Sequence, residues 1–476
     1  MNAVKGGAGK SGFADHPKGL LIACVATGMS SYVRYAIVGF SVLFYTLSVK
    51  EGGLGLDRET AGSIIAISGS IASVIPLLGS LITDRFLGIQ KGMAMSFLLS
   101  GIAYMFYFLF APNVPMIIVG LTINVIASAF MNNNVTAIVG MLYSNKDLTK
   151  KDAAYSIFYM AVNIGAMLGP IIGGMITDKW MAVRAADGTV VTYGYKYAYL
   201  MGAVGMILTF IFLIVFMPKW LKDVGKYPEA KKIKERPAEE KPKLTDVDKK
   251  RMVAMAIIFL FVVFYWSAYF QTQSTLTVFT YDLVNLNLFG FAIPVSWMIS
   301  FNGVLCIILS PLMGMYWVKR SQTAKGDWKV STKMATGMII TGIAFFILLL
   351  GLRTLNGVED GSVKMNISFM LISYTILTVG ELLVSPIGMA LFSKLTPVRY
   401  SSMGMSVWYL CYFFSNIASG KLLGVTEVWG YGKILILIGG VLVVSGAIMF
   451  IIAPMLERLM AMDKLQAEEE KRACRR

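Results

Sequence analysis

The chain has few of the side chains from which metal sites and many enzyme active sites are built. Its 476 residues include one histidine and four cysteines, and only 15% of them are charged. His16 precedes the first apolar stretch, and the cysteines at positions 24, 306, 411 and 474 show no pairing or metal-ligand spacing. We therefore expect no metal and no cofactor. Because no nucleophile–base pair or nucleotide-binding loop occurs either, an enzyme is not predicted.

The remaining composition indicates a membrane protein. Hydrophobic residues make up 56% of the chain, and the mean hydropathy is +0.67, which is too apolar for a soluble protein. Stretches of about 20 apolar residues, long enough to cross ~30 Å of hydrocarbon, occur about twelve times. The sequence thus predicts an all-α membrane protein with twelve transmembrane helices. The stretches lie approximately at 18–48, 60–83, 91–111, 114–143, 152–177, 196–218, 251–281, 293–318, 333–353, 365–393, 400–424 and 431–456.

Basic residues explain the formal net charge of +16 without a nucleic-acid partner. They cluster in alternate loops, for example at Arg85, Lys151 and Lys319, which is the positive-inside pattern of membrane proteins. An even number of spans places both termini on the same side, predicted to be the cytoplasmic side of the cell membrane. The first 18 residues show no cleaved signal peptide.

A charged segment divides the apolar stretches into two groups of six. Residues 219–250 are rich in Lys, Glu and Pro and are predicted to be a cytoplasmic linker. The remaining predicted parts are a cytoplasmic N-terminus at 1–17, six-helix bundles at 18–218 and 251–456, and a cytoplasmic tail at 457–476. Two six-helix bundles are the layout of major facilitator transporters, in which the substrate site is expected at mid-membrane between the halves.

One carboxylate, Glu381, stands in the middle of the apolar stretch 365–391. An ionisable side chain at this depth costs several kcal/mol unless it faces a cavity or a partner. Glu381 is therefore the first candidate for a functional site.

A glycine-containing loop follows the second apolar stretch. Gly79, Asp84, Arg85 and Gly88 resemble the loop motif of major facilitator transporters, whose role is conformational. The alternative is an ordinary charged loop between hydrophobic helices.

Several longer pieces resemble the proton-dependent oligopeptide transporter family. They begin with His16-Pro-Lys-Gly and Asp84-Arg-Phe-Leu-Gly88, and the most specific are Phe158-Tyr159 followed by Asn163 and Gly165, and Gly380-Glu-Leu-Leu-Val-Ser-Pro386. The resemblance extends over about residues 16–424. It implies the major facilitator fold and transport of di- or tripeptides.

The chain departs from that family where the family handles protons. The glutamates and the arginine of the first-helix motif Glu-x-x-Glu-Arg are replaced by Thr27, Ser30 and Ser31. Arg34, one turn further, could still present a cation to the cavity, or could snorkel to an interface or pair structurally. Asn132 stands where the family has a lysine in the fourth helix, and it either lines the cavity or joins helices. Phe270 stands where many members have an acid.

The resemblance also implies a set of binding residues. Glu381 would bind a substrate amino group, and Arg34 would be the first-half cation left for a carboxylate. Hydrogen bonds would come from Asn163, Asn302, Gln271, Tyr32 and Tyr35, and apolar walls from Trp266 and Trp408. Tyr159 shares a helix face with Asn163 and joins this set. For the asparagines, tyrosines and tryptophans, ordinary helix packing is the alternative.

We therefore predict a secondary transporter of di- or tripeptides or peptide-like solutes, with Glu381 as the candidate proton carrier, acting as a monomer in the lipid bilayer. A first alternative is a transporter of a non-peptide amine or amino-acid-like metabolite without the usual proton coupling. A second is a ligand sensor that does not transport.

Overall fold

The computed structural model describes residues 16–143, 148–228, 244–323, 326–397 and 404–460. Most of these residues are helical. The helices are α1 (Gly19–Val38), α2 (Ser41–Thr46), α3 (Arg58–Ile82), α4 (Ile89–Phe110), α5 (Val114–Ser128), α6 (Asn132–Met141), α7 (Leu148–Met175), α8 (Tyr195–Trp220), α9 (Asp246–Tyr269), α10 (Thr275–Leu283), α11 (Trp297–Ser321), α12 (Val330–Arg353), α13 (Ile367–Leu395) and α14 (Gly404–Met460).

These helices make twelve spans within the described ranges, as predicted. Ten helical stretches there are long and apolar enough to cross a membrane. The longest contains Gly430 with a left-handed φ of +74°, so α14 is two helices, the eleventh and twelfth spans. The shorter α5 and α6 together form the fourth span, and α9 and α10 form the seventh. The prediction of an all-α, twelve-helix membrane protein is confirmed.

Three two-stranded sheets lie in loops of one face. The strand pairs are β1 (Val183–Arg184) with β2 (Val190–Thr192), β3 (Val284–Asn285) with β6 (Met365–Asn366), and β4 (Asn287–Leu288) with β5 (Phe291–Ala292). The pair β3–β6 is parallel, and the other two pairs are antiparallel. We call this side the sheet face. The side that carries the loops after α3, α6 and α11 is called the basic face.

Helix ends are set by local capping. Asp57 accepts a hydrogen bond from the backbone N–H of Thr60 at 2.7 Å and so starts α3. Hydrogen bonds from Thr60 also lower the pKa of the Asp57 carboxyl. Thr245 and Asp248 form a capping box at the start of α9. Short polar side chains next to long apolar runs thus decide where several spans begin.

Glycines let the helices of the first half approach closely. A Cβ atom at Gly165 of α7 would lie 2.3 Å from the carbonyl oxygen of Gly28 in α1, and one at Gly169 would lie 2.2 Å from that of Tyr32. In lipid, where apolar burial does not drive association, such backbone contacts supply dispersion energy. The packing therefore holds α1 closely against α7.

The two halves meet along α3 with the first part of α14, and along α7 with α11. Ser296 donates a hydrogen bond to the carbonyl of Pro170 at 3.0 Å, and Ser300 donates to that of Met167 at 2.9 Å. These contacts lie toward the sheet face. Toward the basic face the side chains of Leu81 and Tyr159 are exposed. The halves are therefore joined at the sheet face.

The seam between α3 and α14 depends on two glycines. A Cβ atom at Gly62 would lie 2.2 Å from the carbonyl oxygen of Gly420. We expect Gly62→Ala to push the halves apart and shift the population toward a state open at the sheet face. The test is the distance between spin labels at Val49→Cys and Val428→Cys, which are exposed at that face in opposite halves, in a background with the native cysteines replaced by serine. Gly314→Ala is the control, because a Cβ there meets nothing within 4 Å; an unchanged label distance for Gly62→Ala would contradict the prediction.

The predicted domain division stays a prediction. Residues 1–15, 229–243 and 461–476 lie outside the described residues, and they include most of the predicted N-terminus and tail and the middle of the predicted linker. The helices on either side of the linker, α8 and α9, end at Trp220 and begin at Asp246.

Candidate functional site

Glu381 lies in the middle of α13 and is held by three side chains of the second half. Its Oε2 atom accepts hydrogen bonds from the hydroxyl of Tyr269 at 2.8 Å, from the amide of Asn302 at 3.1 Å and from the thiol of Cys306 at 3.7 Å. Among the described residues, none donates a hydrogen bond to the other oxygen, Oε1. The carboxylate is thus oriented through one oxygen, and the second can receive a ligand donor.

Three helices converge to build this arrangement. Asn302 and Cys306 are four residues apart on α11 and share one face, and Tyr269 is the last residue of α9. The amide of Asn302 also donates to the hydroxyl of Thr378 at 2.9 Å, one turn before Glu381 on α13. Asn302 therefore uses both of its N–H donors to hold α13, one on Glu381 and one on Thr378. The structure places Asn302 beside Glu381, and its predicted direct contact with substrate stays a prediction.

Two predicted apolar wall residues are packed inside the second half. Trp408 is fully buried, and its indole N–H donates to the hydroxyl of Tyr412 at 2.9 Å. Trp266 is 5% exposed and lies with its ring centre 4.8 Å from that of Tyr412. Both tryptophan rings meet the Tyr412 ring edge to face, and their predicted contact with substrate stays a prediction.

Gln271 lies at the break in the seventh span rather than in an open space. It is completely buried, its amide donates to the carbonyl of Ser267 at 2.9 Å, and its oxygen accepts from the hydroxyl of Thr275 at 2.7 Å. These bonds join α9 to α10 across the short 3-10 turn Phe270–Gln273. Gln271 thus satisfies polar groups freed by the break, and its predicted bond to substrate stays a prediction.

Helix α7 is the part of the first half that lies near Glu381. Tyr159 is 66% exposed and lies within electrostatic range of Glu381, Cys306 and Tyr35. The amide of Asn163 donates to the carbonyl of Tyr159, at 2.9 Å. Tyr159 of the first half therefore lies near the carboxylate of Glu381 in the second half, with Tyr35 close to Tyr159.

Arg34 and Tyr32 point in other directions along α1. The hydroxyl of Tyr32 donates to the sulfur of Met201 at 2.9 Å, within the first half. Arg34 is exposed, and its charge lies near enough to Tyr104 to interact electrostatically. Within the described ranges, Arg34 makes no ion pair. The role predicted for Arg34, to present a cation to the substrate, stays a prediction.

The fourth span contains three consecutive asparagines, and the structure describes the side chain of the third. The side chains of Asn132 and Asn133 lie outside the described residues, so the role predicted for Asn132 stays a prediction. Asn134 is buried and donates to the hydroxyl of Thr83 at 3.3 Å and to the carbonyl of Phe130 at 2.8 Å. Asn134 thus joins the fourth span to the end of the second.

The glycines of the loop motif are required by close contacts. A Cβ atom at Gly79 would lie 1.9 Å from the carbonyl oxygen of Ala129, and Gly88 has a left-handed φ of +78°. Arg85 lies over the ring of Phe86 at 5.5 Å, and both Arg85 and Asp84 are exposed. The glycines explain the turn and the helix contact, whereas the conformational role of Asp84 and Arg85 stays a prediction.

An ion pair closes the sheet face between the halves. Arg58, at the start of α3, contacts Asp282 of α10 at 2.7 Å, and their side chains are 23% and 25% exposed. The hydroxyl of Tyr431 donates to the same carboxylate oxygen at 2.5 Å, and the guanidinium of Arg58 lies 5.3 Å from the Tyr431 ring centre. Sequence reasoning did not single out these residues. A possible signal was that both charges stand at span ends.

Sequence reasoning also missed Tyr269, Cys306 and Thr378. The available signals were the position of Tyr269 beside the replaced acid at Phe270, and the four-residue spacing of Asn302 and Cys306. Neither signal states which face of the helix meets Glu381.

Comparisons with known proteins agree with this architecture. The family model described as Major Facilitator Superfamily matches residues 21–419. The chain is 23% identical to the uncharacterized transporter YclF of Bacillus subtilis, covering 95% of this chain and 96% of YclF, and 23% identical to the peptide transporter YePEPT of Yersinia enterocolitica, covering 87% and 88%. The crystal structure of a peptide transporter POT in complex with sulfate superposes with a TM-score of 0.83 at 24% identity, over 94% of this chain and 97% of that one. These findings confirm the resemblance to oligopeptide transporters.

Proposed function

The chain belongs to the Major Facilitator Superfamily, and we propose that it moves di- and tripeptides or peptide-like amines across the membrane by alternating access between its two halves. It is an integral membrane protein. The observation that carries the proposal is Glu381, a carboxylate at mid-span whose Oε2 is held by Tyr269 and Asn302 and whose Oε1 receives no bond within the described residues. The names of the peptide-transporting relatives support the substrate class.

A protonated amino group is the ligand that this carboxylate fits best. A carboxylate accepts N–H donors and attracts a positive charge, and both interactions are stronger away from bulk water. We infer that the substrate ammonium binds Oε1 of Glu381, with Tyr159, Tyr35 and Asn163 of the first half closing around the rest of the molecule. Contacts from both halves to one ligand are what alternating access requires.

The opposite end of the substrate is held more weakly. Arg34 is exposed and makes no ion pair among the described residues, and the other basic positions of the family motif read Ser31 and Asn132. This favours a second candidate function, transport of an amine that carries no carboxylate.

Replacing Arg34 by glutamine separates the two candidates. For peptide transport, we expect roughly tenfold weaker uptake of a dipeptide, because an ion pair or charged hydrogen bond worth about 1.5 kcal/mol is lost. Uptake of the same dipeptide with an amidated C-terminus should change little. If both compounds lose uptake equally, Arg34 does not bind the carboxylate.

Glu381 is also the proposed proton carrier. A single group would then serve substrate and proton in turn, since an ammonium and a proton compete for the same carboxylate.

We propose further that the basic face and both termini lie in the cytoplasm, that the membrane is the plasma membrane, and that the protein acts as a monomer.

The test is uptake by the purified protein in liposomes. Labelled dipeptides, tripeptides, single amino acids and simple amines are compared with and without an imposed pH gradient. Accumulation of peptide above equilibrium under the gradient is expected for proton-linked transport. Flux that only equilibrates the two sides would indicate facilitated diffusion, and binding without any flux would indicate a sensor.

A further inference from the structure

A cavity lies at the sheet face, outside the central site around Glu381. It has a volume of about 230 Å³ and is lined by residues of both halves. The first half contributes the end of the fifth span and the strands β1 and β2, and the second half contributes strands β3 to β5 and the loop before β6. We call this cavity the inter-half pocket. Its walls come together only while the halves are in contact at this face.

The polar lining of the inter-half pocket is mainly cationic. Lys179 and Arg184 of the first half and Lys364 of the second half face one acid, Asp178. An oxygen of Asp178 accepts the hydroxyl of Thr177 at 2.5 Å. Three positive charges against one carboxylate leave an excess of positive charge at a place where the halves must stay together.

None of the three cations has a carboxylate partner within 4 Å in the part of the chain that the structure describes. Lys364 donates to the carbonyl of Tyr281 at 3.0 Å, and Arg184 donates to the carbonyls of Asp178 and Gly188 at 2.6 and 2.7 Å. Lys179 lies 4.4 Å from the ring centre of Phe291. Their hydrogen-bond and ring partners are neutral groups, so Asp178 is the one acid among the lining residues that offsets their charge.

Two acids near the inter-half pocket, Glu51 and Asp282, have other partners. Glu51 accepts the hydroxyl of Ser48 at 2.6 Å on one oxygen and that of Tyr281 at 3.4 Å on the other. Asp282, next along the chain, is taken by Arg58. Neither acid lines the inter-half pocket, so the lining keeps a net positive charge that a bound anion would neutralise.

We propose that the inter-half pocket binds a small oxyanion, which bridges Lys179 or Arg184 of one half to Lys364 of the other and thereby stabilises the state closed at the sheet face. At about 30 Å³ per water molecule the space would hold roughly seven waters, which suits a carboxylate or phosphate group of a small molecule. Because the pocket needs both halves, an anion binds the closed state in preference to the open one and shifts the population toward it. The oxyanion is either a free anion or the carboxylate of a transported molecule.

Thermal unfolding of the purified full-length protein tests the binding. Sodium phosphate is titrated in place of sodium chloride at constant ionic strength, without substrate. A saturable rise of the melting temperature is expected for the wild type, and at least a fivefold higher half-saturating concentration for Lys364→Gln and for Lys179→Gln. Lys196→Gln is the matched control, because Lys196 is an exposed lysine that starts α8 near the same face and does not line the pocket. Equal responses in all four proteins would overturn the proposal.

A charge reversal checks the bridging geometry independently of any ligand. Lys364→Glu supplies a carboxylate opposite Lys179 and Arg184, so this variant should show a raised melting temperature without phosphate and no further response to it. The labels at Val49→Cys and Val428→Cys should report a shorter or narrower distance distribution with phosphate in the wild type. An unchanged distribution at saturating phosphate would refute the conformational part.

Two further experiments distinguish a free anion from a substrate carboxylate as the ligand, and the inter-half pocket from the central site around Glu381. A dipeptide and its C-terminal amide, tested in the same titration on Glu381→Gln, show whether a substrate carboxylate occupies the pocket. Glu381→Gln should also keep the phosphate response, because Glu381 does not line the inter-half pocket. Absence of peptide transport by the wild type together with a phosphate response would count against the proposed function alone, whereas transport by the wild type without a phosphate response would count against this pocket alone.

Discussion

Replacing Glu381 by glutamine is expected to weaken binding of an amine-bearing substrate by roughly a hundredfold and to abolish substrate-dependent proton movement. Removing one partner of a poorly solvated charge pair costs about 3 kcal/mol or more, and each 1.4 kcal/mol is tenfold in affinity. Glutamine keeps the size of the side chain and an acceptor oxygen, so the substitution removes the negative charge and leaves the shape nearly unchanged. Binding of labelled substrate to the purified protein and proton uptake into liposomes measure the two effects.

Two matched variants sharpen this result. Tyr269→Phe removes the 2.8 Å hydrogen bond to Oε2 and leaves the carboxylate in place, so we expect a partial loss, on the order of fivefold to tenfold. Asp187→Asn removes an exposed acid of the β1–β2 hairpin and should leave binding unchanged. If proton-linked uptake survives Glu381→Gln, the proton is carried elsewhere.

Breaking the ion pair between Arg58 and Asp282 is expected to open the sheet face. Arg58→Gln leaves the carboxylate of Asp282 about three-quarters buried with Tyr431 as its remaining described hydrogen-bond donor. A charged hydrogen bond of this kind is worth about 2 kcal/mol, so the equilibrium should move roughly thirtyfold toward the state open at that face. The spin-label distance between Val49→Cys and Val428→Cys should lengthen, and transport should slow if closure of this face limits the cycle.

The charge-exchanged double variant, Arg58→Asp with Asp282→Arg, should recover part of the closed population. Lys226→Gln provides the control, since Lys226 and Asp223 form an exposed pair within the first half, 3.7 Å apart, with side chains 51% and 80% exposed. Such pairs contribute little, and the label distance should not change. A closed population that is insensitive to Arg58→Gln would show that backbone contacts, such as those at Gly62, hold the seam by themselves.

The fold could be predicted from the sequence to within a few residues at many span ends. The apolar stretch predicted at 333–353 is the helix Val330–Arg353, and the one at 196–218 is Tyr195–Trp220. The agreement has a simple cause, because the bilayer demands about 20 apolar residues per helix and internal bonding of each backbone group. The break of the seventh span at Phe270–Gln273 was not predicted, since polar side chains that bond their own backbone leave no periodic signal.

The candidate site was predictable in its central residue and less so in its surroundings. Glu381 stands out because a carboxylate at mid-span has few inexpensive explanations. Three residues predicted to contact substrate because of their polar or aromatic side chains are instead buried in the second half: Gln271, Trp266 and Trp408. Which face of a helix a side chain occupies depends on how that helix is rotated against its neighbours, and a span surrounded by apolar neighbours on all sides shows little amphipathic pattern from which to read the rotation.

The sequence by itself determined the number of spans, the division into two halves and the unusual carboxylate, because hydrophobic length and charge act locally along the chain. Only the tertiary structure decided that Tyr269, 112 residues away, donates to Glu381, that Arg58 meets Asp282 across the two halves, and that three cations surround one pocket at the sheet face. These contacts join residues distant in sequence, and they exist because close helix packing brings particular faces together.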